Sequence, residues 1–205
     1  MTKPIPPSLV ASMAFVSGFC IMVVEMLGAR ILSPYFGGSL YVWGSIITIF
    51  MLSLATGYLY GGNLSAKNPS ARSYATFFFL SAIFILPIIL LANSIMEPIF
   101  VAIEDERYGS LLATIMLFFI PITLMGMISP YSVRLLVVNT EQSGQVAGSL
   151  YFVSTLGSAL GTLGTSFYFV LWLEIDQILW AVFFALALAG FLILAISGIQ
   201  SREDG

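Results

Sequence analysis

The chain has 205 residues, 59% of them hydrophobic and 8% charged, with a mean hydropathy of +1.02 and a formal net charge of −3. A soluble domain carries about 25% charged residues, so this chain cannot cover a water-facing surface and its main solvent is lipid. With no histidine and a single cysteine, it excludes disulfides, zinc clusters and histidine-based nucleophilic catalysis, and the lack of a basic stripe excludes a nucleic-acid partner.

A membrane-spanning helix needs about 20 mostly apolar residues. Six stretches qualify: about 8–32, 40–62, 73–93, 110–138, 146–171 and 177–198. Together they take up nearly the whole length. The expectation is one polytopic all-α membrane domain over 1–205, with short loops, no soluble domain, no metal and no cofactor. The first stretch is too long for a signal peptide and no small-x-small cleavage site follows it, so it reads as a retained span. Cys20, inside that stretch, reads as a small buried hydrophobe.

Glu25 is the main anomaly of the first span. It stands among Met22, Val23, Val24, Met26 and Leu27. A charge in the hydrocarbon costs at least about 2.5 kcal/mol, so it needs a partner, water or a proton. Arg30 lies five residues on, roughly 140° around the helix, which makes a direct intrahelical pair poor. Glu25 is therefore expected to face the bundle interior. Two roles are open: an intramembrane site for a cation or a proton, or a structural ion pair with another helix. Arg30, just before Ser33-Pro34, reads more simply as a side chain reaching the headgroups.

In the second span, Ser53, Gly57 and Gly61 follow small-xxx-small spacing, which lets helix backbones approach closely in lipid. The third span carries Pro87, a kink. The Glu104-Asp105-Glu106-Arg107 run after it reads as a solvated loop. The fourth span is interrupted by Pro121 and Pro130 with Gly126 between them, and Tyr131 follows. These are candidates for a helix break or a cavity, because a proline frees carbonyls that a cavity or neighbour must satisfy. A static kink is the plainer alternative. Arg134, near the end of this span, reads as an anchoring cation or an ion-pair partner. The fifth span repeats the packing spacing at Gly157 and Gly161. Packing within the chain is the simpler use of these small residues; a seam between two copies is the other.

Loop charges set the orientation. With the N-terminus in the cytoplasm, Lys3, Lys67, Arg72, Arg134 and Arg202 fall inside and only Arg30 and Arg107 outside. Both termini are then cytoplasmic, in what would be a bacterial inner membrane.

Two phrases recur. Ser33-Pro34-Tyr35 returns as Ser129-Pro130-Tyr131, and Ser39-Leu40-Tyr41 as Ser149-Leu150-Tyr151. Each Ser-Pro-Tyr closes an apolar run and each Ser-Leu-Tyr opens the next. Two halves of three spans each would sit upside down to one another, the inverted repeat of many transport folds. The alternative is chance, since the chain is rich in these residues.

Several motifs also resemble a known family. Glu25-x-x-x-x-Arg30 followed by Ser33-Pro34-Tyr35-Phe36-Gly37 resembles the first-span signature of membrane-bound spermidine-synthase-like proteins. Leu124-Met125-Gly126-Met127-Ile128-Ser129-Pro130 is similar to the same family, as are Gly144-x-x-x-Gly148-Ser149-Leu150-Tyr151 and Leu156-Gly157-Ser158-Ala159-Leu160-Gly161. The resemblance implies a major-facilitator-half-like membrane part that, in the family, precedes a cytoplasmic aminopropyltransferase domain. These 205 residues hold no such domain, so the expectation is no enzyme activity from this polypeptide alone. Two functions are expected from different classes. One is a membrane platform or subunit for a separate aminopropyltransferase-like protein. The other is a half-size transporter of a small solute, cationic in the simplest case, acting as a homodimer. A purely structural subunit is a third option.

Overall fold

The computed structural model describes residues 5–67, 69–137 and 139–202, with the side chains of 140 and 199–202 left aside. Lys3, Val138 and the side chain of Arg202, which entered the span and orientation arguments, lie outside the described part. Among the described residues there are helices and short turns and no strand. Helix α1 is Pro7–Phe36, α2 Leu40–Lys67, α3 Ala71–Ala102, α4 Glu106–Gly126, α5 Ile128–Leu136, α6 Ser143–Gly164, α7 Val170–Trp172 and α8 Ile175–Arg202. A π-helical stretch, Thr165–Phe169, links α6 to α7, and a 3₁₀ turn, Thr140–Gln142, precedes α6. With α4 and α5 taken as one span, and α6 with α7 as another, six helical runs are long and apolar enough to cross a bilayer. The protein is an all-helical integral membrane protein.

The helices run past the expected ends, and the causes are local. Pro34 does not stop α1, which continues to Phe36. A proline leaves the carbonyl four residues before it without its N–H donor. Here that carbonyl is Arg30 O, and the Ser33 hydroxyl donates to it at 3.5 Å. Helix α3 runs on through Pro87 and Pro98 to Ala102, which leaves only Ile103–Asp105 before α4. The acidic run is exposed, as expected of a solvated loop, and its second half opens α4. Asp105 caps α4 by accepting from the Arg107 backbone N–H at 2.9 Å. The Arg107 guanidinium lies 3.8 Å from the same carboxylate and 4.8 Å from the Tyr41 ring centre.

Helix α1 touches every other span and supplies much of the core. Its most extensive partner is α6, while α2 packs chiefly on α4, and α3 on α8. Contacts between α1 and α6 recur at a separation of about 140 residues. Ser158 Oγ donates to Gly18 O at 3.2 Å, Ser166 Oγ to Met26 Sδ at 3.6 Å, and Arg30 Nη1 to Val170 O at 3.5 Å. A constant offset means that the two helices run parallel along their whole length. The α2–α4 pair is parallel too, with Ser45 Oγ 3.1 Å from Ser110 Oγ at one end and Gly61 against Met127 at the other. Ser110 already donates to Arg107 O, so Ser45 is the donor between the two hydroxyls.

Both parallel pairs meet through missing side chains. A Cβ on Gly161 would stand 2.5 Å from Phe19 O, and one on Gly61 2.6 Å from Met127 O. Gly157 abuts Phe15 in the same way, Gly18 abuts Ser154, and Gly57 abuts Thr123 and Gly126. Such approaches are how spans associate where lipid offers no hydrophobic drive. Ser53 is fully buried on α2 and turns its hydroxyl back to Ile49 O at 2.6 Å, so it demands no partner from another helix.

Overpacking a close-packed interface costs about 1–3 kcal/mol. Gly161→Leu and Gly57→Leu should therefore each lower the melting temperature in detergent micelles. Gly62→Leu, at a helix site open to space, should leave it unchanged. Equal melting of all three would contradict the packing described.

Candidate functional site: an unpaired carboxylate in the first span

Glu25 is the nineteenth residue of the thirty in α1. At 1.5 Å per residue it sits about 5 Å from the helix midpoint, well inside a hydrocarbon core about 30 Å thick. Its neighbours on α1 fix the direction in which it leaves the helix. Gly28, about 60° to one side, packs against Phe118 of α4 and Ile46 of α2. Met26, about 100° to the other side, meets Ser166 of the π-helical stretch. Glu25 therefore emerges between the α2–α4 pair and α6. It is half-buried. No Lys or Arg among the described residues lies within 4 Å of it; the single ion pair there is Arg107 with Asp105.

The two spans that border this cleft differ in composition from the other four. Helices α2 and α6 belong to the two least apolar of the six spans, and the α6 span is also the least buried. Their exposed positions include Gly44, Thr48 and Thr155, set among large apolar side chains such as Ile47, Met51, Leu156 and Leu160. Both helices pack on α1, α6 more extensively than α2. The π-helical stretch lies level with Glu25 through the 140-residue offset. Such stretches are rare and recur at functional sites. Its first residue, Thr165, is buried with a hydroxyl that has no partner.

The other candidates lie apart from Glu25. Arg30 is exposed and donates to Val170 O, a carbonyl just past the π-helical stretch, which ties the two helices together at that end. Arg134 is exposed in the last turn of α5, at the opposite end of the bundle. Pro121 is buried in an unbroken stretch of α4. The interruption of span four falls at Met127, between Gly126 and Ile128. There the Met127 N–H still reaches Thr123 O and Leu124 O, each at 3.2 Å. Gly126 faces Leu54 and Gly57 of α2 across a backbone contact. Pro130 falls in the first turn of α5, and the N–H it lacks is the one that would have met Gly126 O across the interruption. Tyr131 is 1% exposed. It stacks on Tyr74 with ring centres 5.9 Å apart, and its hydroxyl accepts from the Ser70 N–H at 2.8 Å. Beside it, Tyr74 donates to Ser132 Oγ at 2.7 Å, while Ser132 donates to Ile128 O. This hydroxyl network has no periodicity to announce it in the sequence.

Two cavities, of about 290 and 280 Å³, open at the end of the bundle that holds the start of α1. Tyr131 lines the second; Pro121, Gly126, Pro130 and Glu25 line neither. Among the described residues no group of His, Cys, Asp and Glu could hold a metal ion. Cys20 is a buried free thiol. No protein-family model matches this chain, and no curated protein or solved structure shows significant similarity to it.

A carboxylate on an open cleft is reachable from water, whereas a core position is not. In a Cys20→Ala background, Glu25→Cys should react with a polar maleimide in native membranes. Leu27→Cys, at a fully buried position, should not. Labelling of Leu27→Cys alone, or of neither, would contradict the placement of Glu25.

Proposed function

We propose that this chain is one six-span half of a carrier. Two copies face each other across the cleft bordered by α2 and α6, and Glu25 engages a small cationic solute between them. The observation that carries the reading is Glu25 itself: a half-buried carboxylate deep in the first span, without a cation beside it among the described residues. A carboxylate in that position is a functional group by default, because its cost has to be offset by a ligand, a proton or water. The lower mean hydropathy of the α2 and α6 spans, 1.6 and 1.3, favours the same reading.

The helix pairing supports two inverted three-span repeats. Exchanging spans one, two and three for spans four, five and six turns the α1–α6 pair into the α4–α2 pair and leaves the α3–α8 pair in place. Such an arrangement is major-facilitator-half-like, and it suits a site near the middle of the membrane. In this reading both termini lie in the cytoplasm of a bacterial cell. Lys67, Arg72 and Arg134 share that end, and Arg30 and Arg107 lie at the other. The platform reading, drawn from the spermidine-synthase-like resemblance, has one feature in its favour: the same cation-bearing end is where a soluble aminopropyltransferase-like enzyme would dock. Its test is recovery of such an enzyme with the tagged chain from gently solubilised membranes.

The carrier reading is tested by uptake into liposomes carrying the purified protein, with polyamines and other small organic cations as solutes. A charge-assisted contact contributes about 1.5–3 kcal/mol, so Glu25→Gln should reduce uptake at least about tenfold while leaving the melting temperature unchanged. Wild-type uptake by Glu25→Gln would overturn the reading. Loss of stability without any uptake by the wild type would assign Glu25 a structural role instead.

A further inference from the structure

The 280 Å³ cavity is unlike the rest of the surface. It lies between the end of α2, the first two turns of α3 and α5, and is lined by Leu64, Lys67, Ser73, Thr76, Phe77 and Tyr131. Its polar groups are unevenly matched. Lys67 is exposed and brings three N–H donors with no ion-pair partner among the described residues. Ser73 accepts at its oxygen from the Ser70 hydroxyl at 3.0 Å, which leaves its own proton free to donate. The Thr76 proton goes to Arg72 O, and the Tyr131 hydroxyl is engaged with Ser70. No acidic side chain lines the cavity, and Arg72 stands exposed beside Ser73. A site with free donors, a net positive charge and no acid selects an anion.

The other half of the lining is apolar. Leu64 and Phe77 form a greasy side next to the polar one, at an end of the bundle where a bilayer changes from hydrocarbon to headgroups. The ligand must therefore present an anionic head and an apolar body at the same depth. At about 280 Å³ the cavity is just below the usual size of small-molecule sites; it suits a headgroup rather than a whole lipid, with the acyl chains left to run along the outside of α2 and α3. Basic pockets between spans recognise lipid headgroups in this way.

We infer that this cavity is a binding site for the phosphate of an anionic phospholipid, held by the Lys67 ammonium and the Ser73 hydroxyl, with the start of the acyl chains against Leu64 and Phe77. The site stands on observations separate from Glu25 and does not depend on the carrier reading.

The test compares the purified protein in nanodiscs of phosphatidylcholine alone with nanodiscs containing phosphatidylglycerol. The readouts are melting temperature and lipid adducts in native mass spectrometry. Phosphatidylglycerol should raise the wild-type melting temperature and give a retained adduct. Lys67→Gln should bind that lipid about tenfold more weakly, and Lys67→Arg should restore it. Ser73→Ala should weaken it less. Because Lys67 is exposed and unpaired, melting in phosphatidylcholine should be the same for wild type and Lys67→Gln, which separates lipid binding from folding. Equal phosphatidylglycerol retention by wild type and Lys67→Gln would overturn the proposal. A full shift produced in phosphatidylcholine by inorganic phosphate alone would assign the cavity to a free phosphoryl group and overturn the lipid assignment.

Discussion

The arrangement depends on one contact type: helix backbones meeting at residues that have almost no side chain. In lipid there is no hydrophobic force to push spans together, so dispersion contacts and interhelical hydrogen bonds must hold them. Both need close approach. Gly18, Gly157 and Gly161 bring α1 and α6 together, and Gly57, Gly61 and Gly126 bring α2 and α4 together. Each pair then adds polar contacts that only short distances permit. Ser158 to Gly18 O and Ser45 to Ser110 are examples. Once these parallel pairs are locked, α1 is enclosed on most sides and the direction of Glu25 is determined. The cleft follows from the packing and needs no separate device.

The six spans were legible in the sequence because apolar length is a strong signal. Their ends were less so. Ser33-Pro34 reads as a stop, yet α1 runs on to Phe36, with the Ser33 hydroxyl 3.5 Å from Arg30 O, the carbonyl that Pro34 leaves without a donor. The interruption of span four was expected from Pro121 and Pro130. It falls at Met127, between those two prolines and beside Gly126, where Pro130 takes the N–H donor away from Gly126 O four residues back.

The small-residue spacing on the second and fifth spans identified which positions are bare but not which helix each one meets. Gly157 and Gly161 face α1, not α2, and their partner lies about 140 residues away. A pattern within one helix cannot name a partner so distant along the chain. The tyrosine and serine network around Tyr74, Tyr131 and Ser132 was invisible for the same reason, since it joins α3, with its N-cap Ser70, to α5 through hydroxyls that look unremarkable one by one. Glu25, by contrast, stood out at once, because a carboxylate among Met, Val and Leu is costly wherever the helix turns. What the sequence left open was its partner. Arg30, the nearest cation in the chain, is occupied with the Val170 carbonyl rather than with Glu25.

The account rests most heavily on Glu25 being an available carboxyl within the membrane. The direct measurement is modification by an apolar carbodiimide in native membranes, located by peptide mass spectrometry, with and without small organic cations. The account predicts an adduct on Glu25 whose formation is slowed by a cationic solute and by no neutral one. An absence of any adduct on Glu25, while carboxyls at the membrane surface are modified, would contradict it.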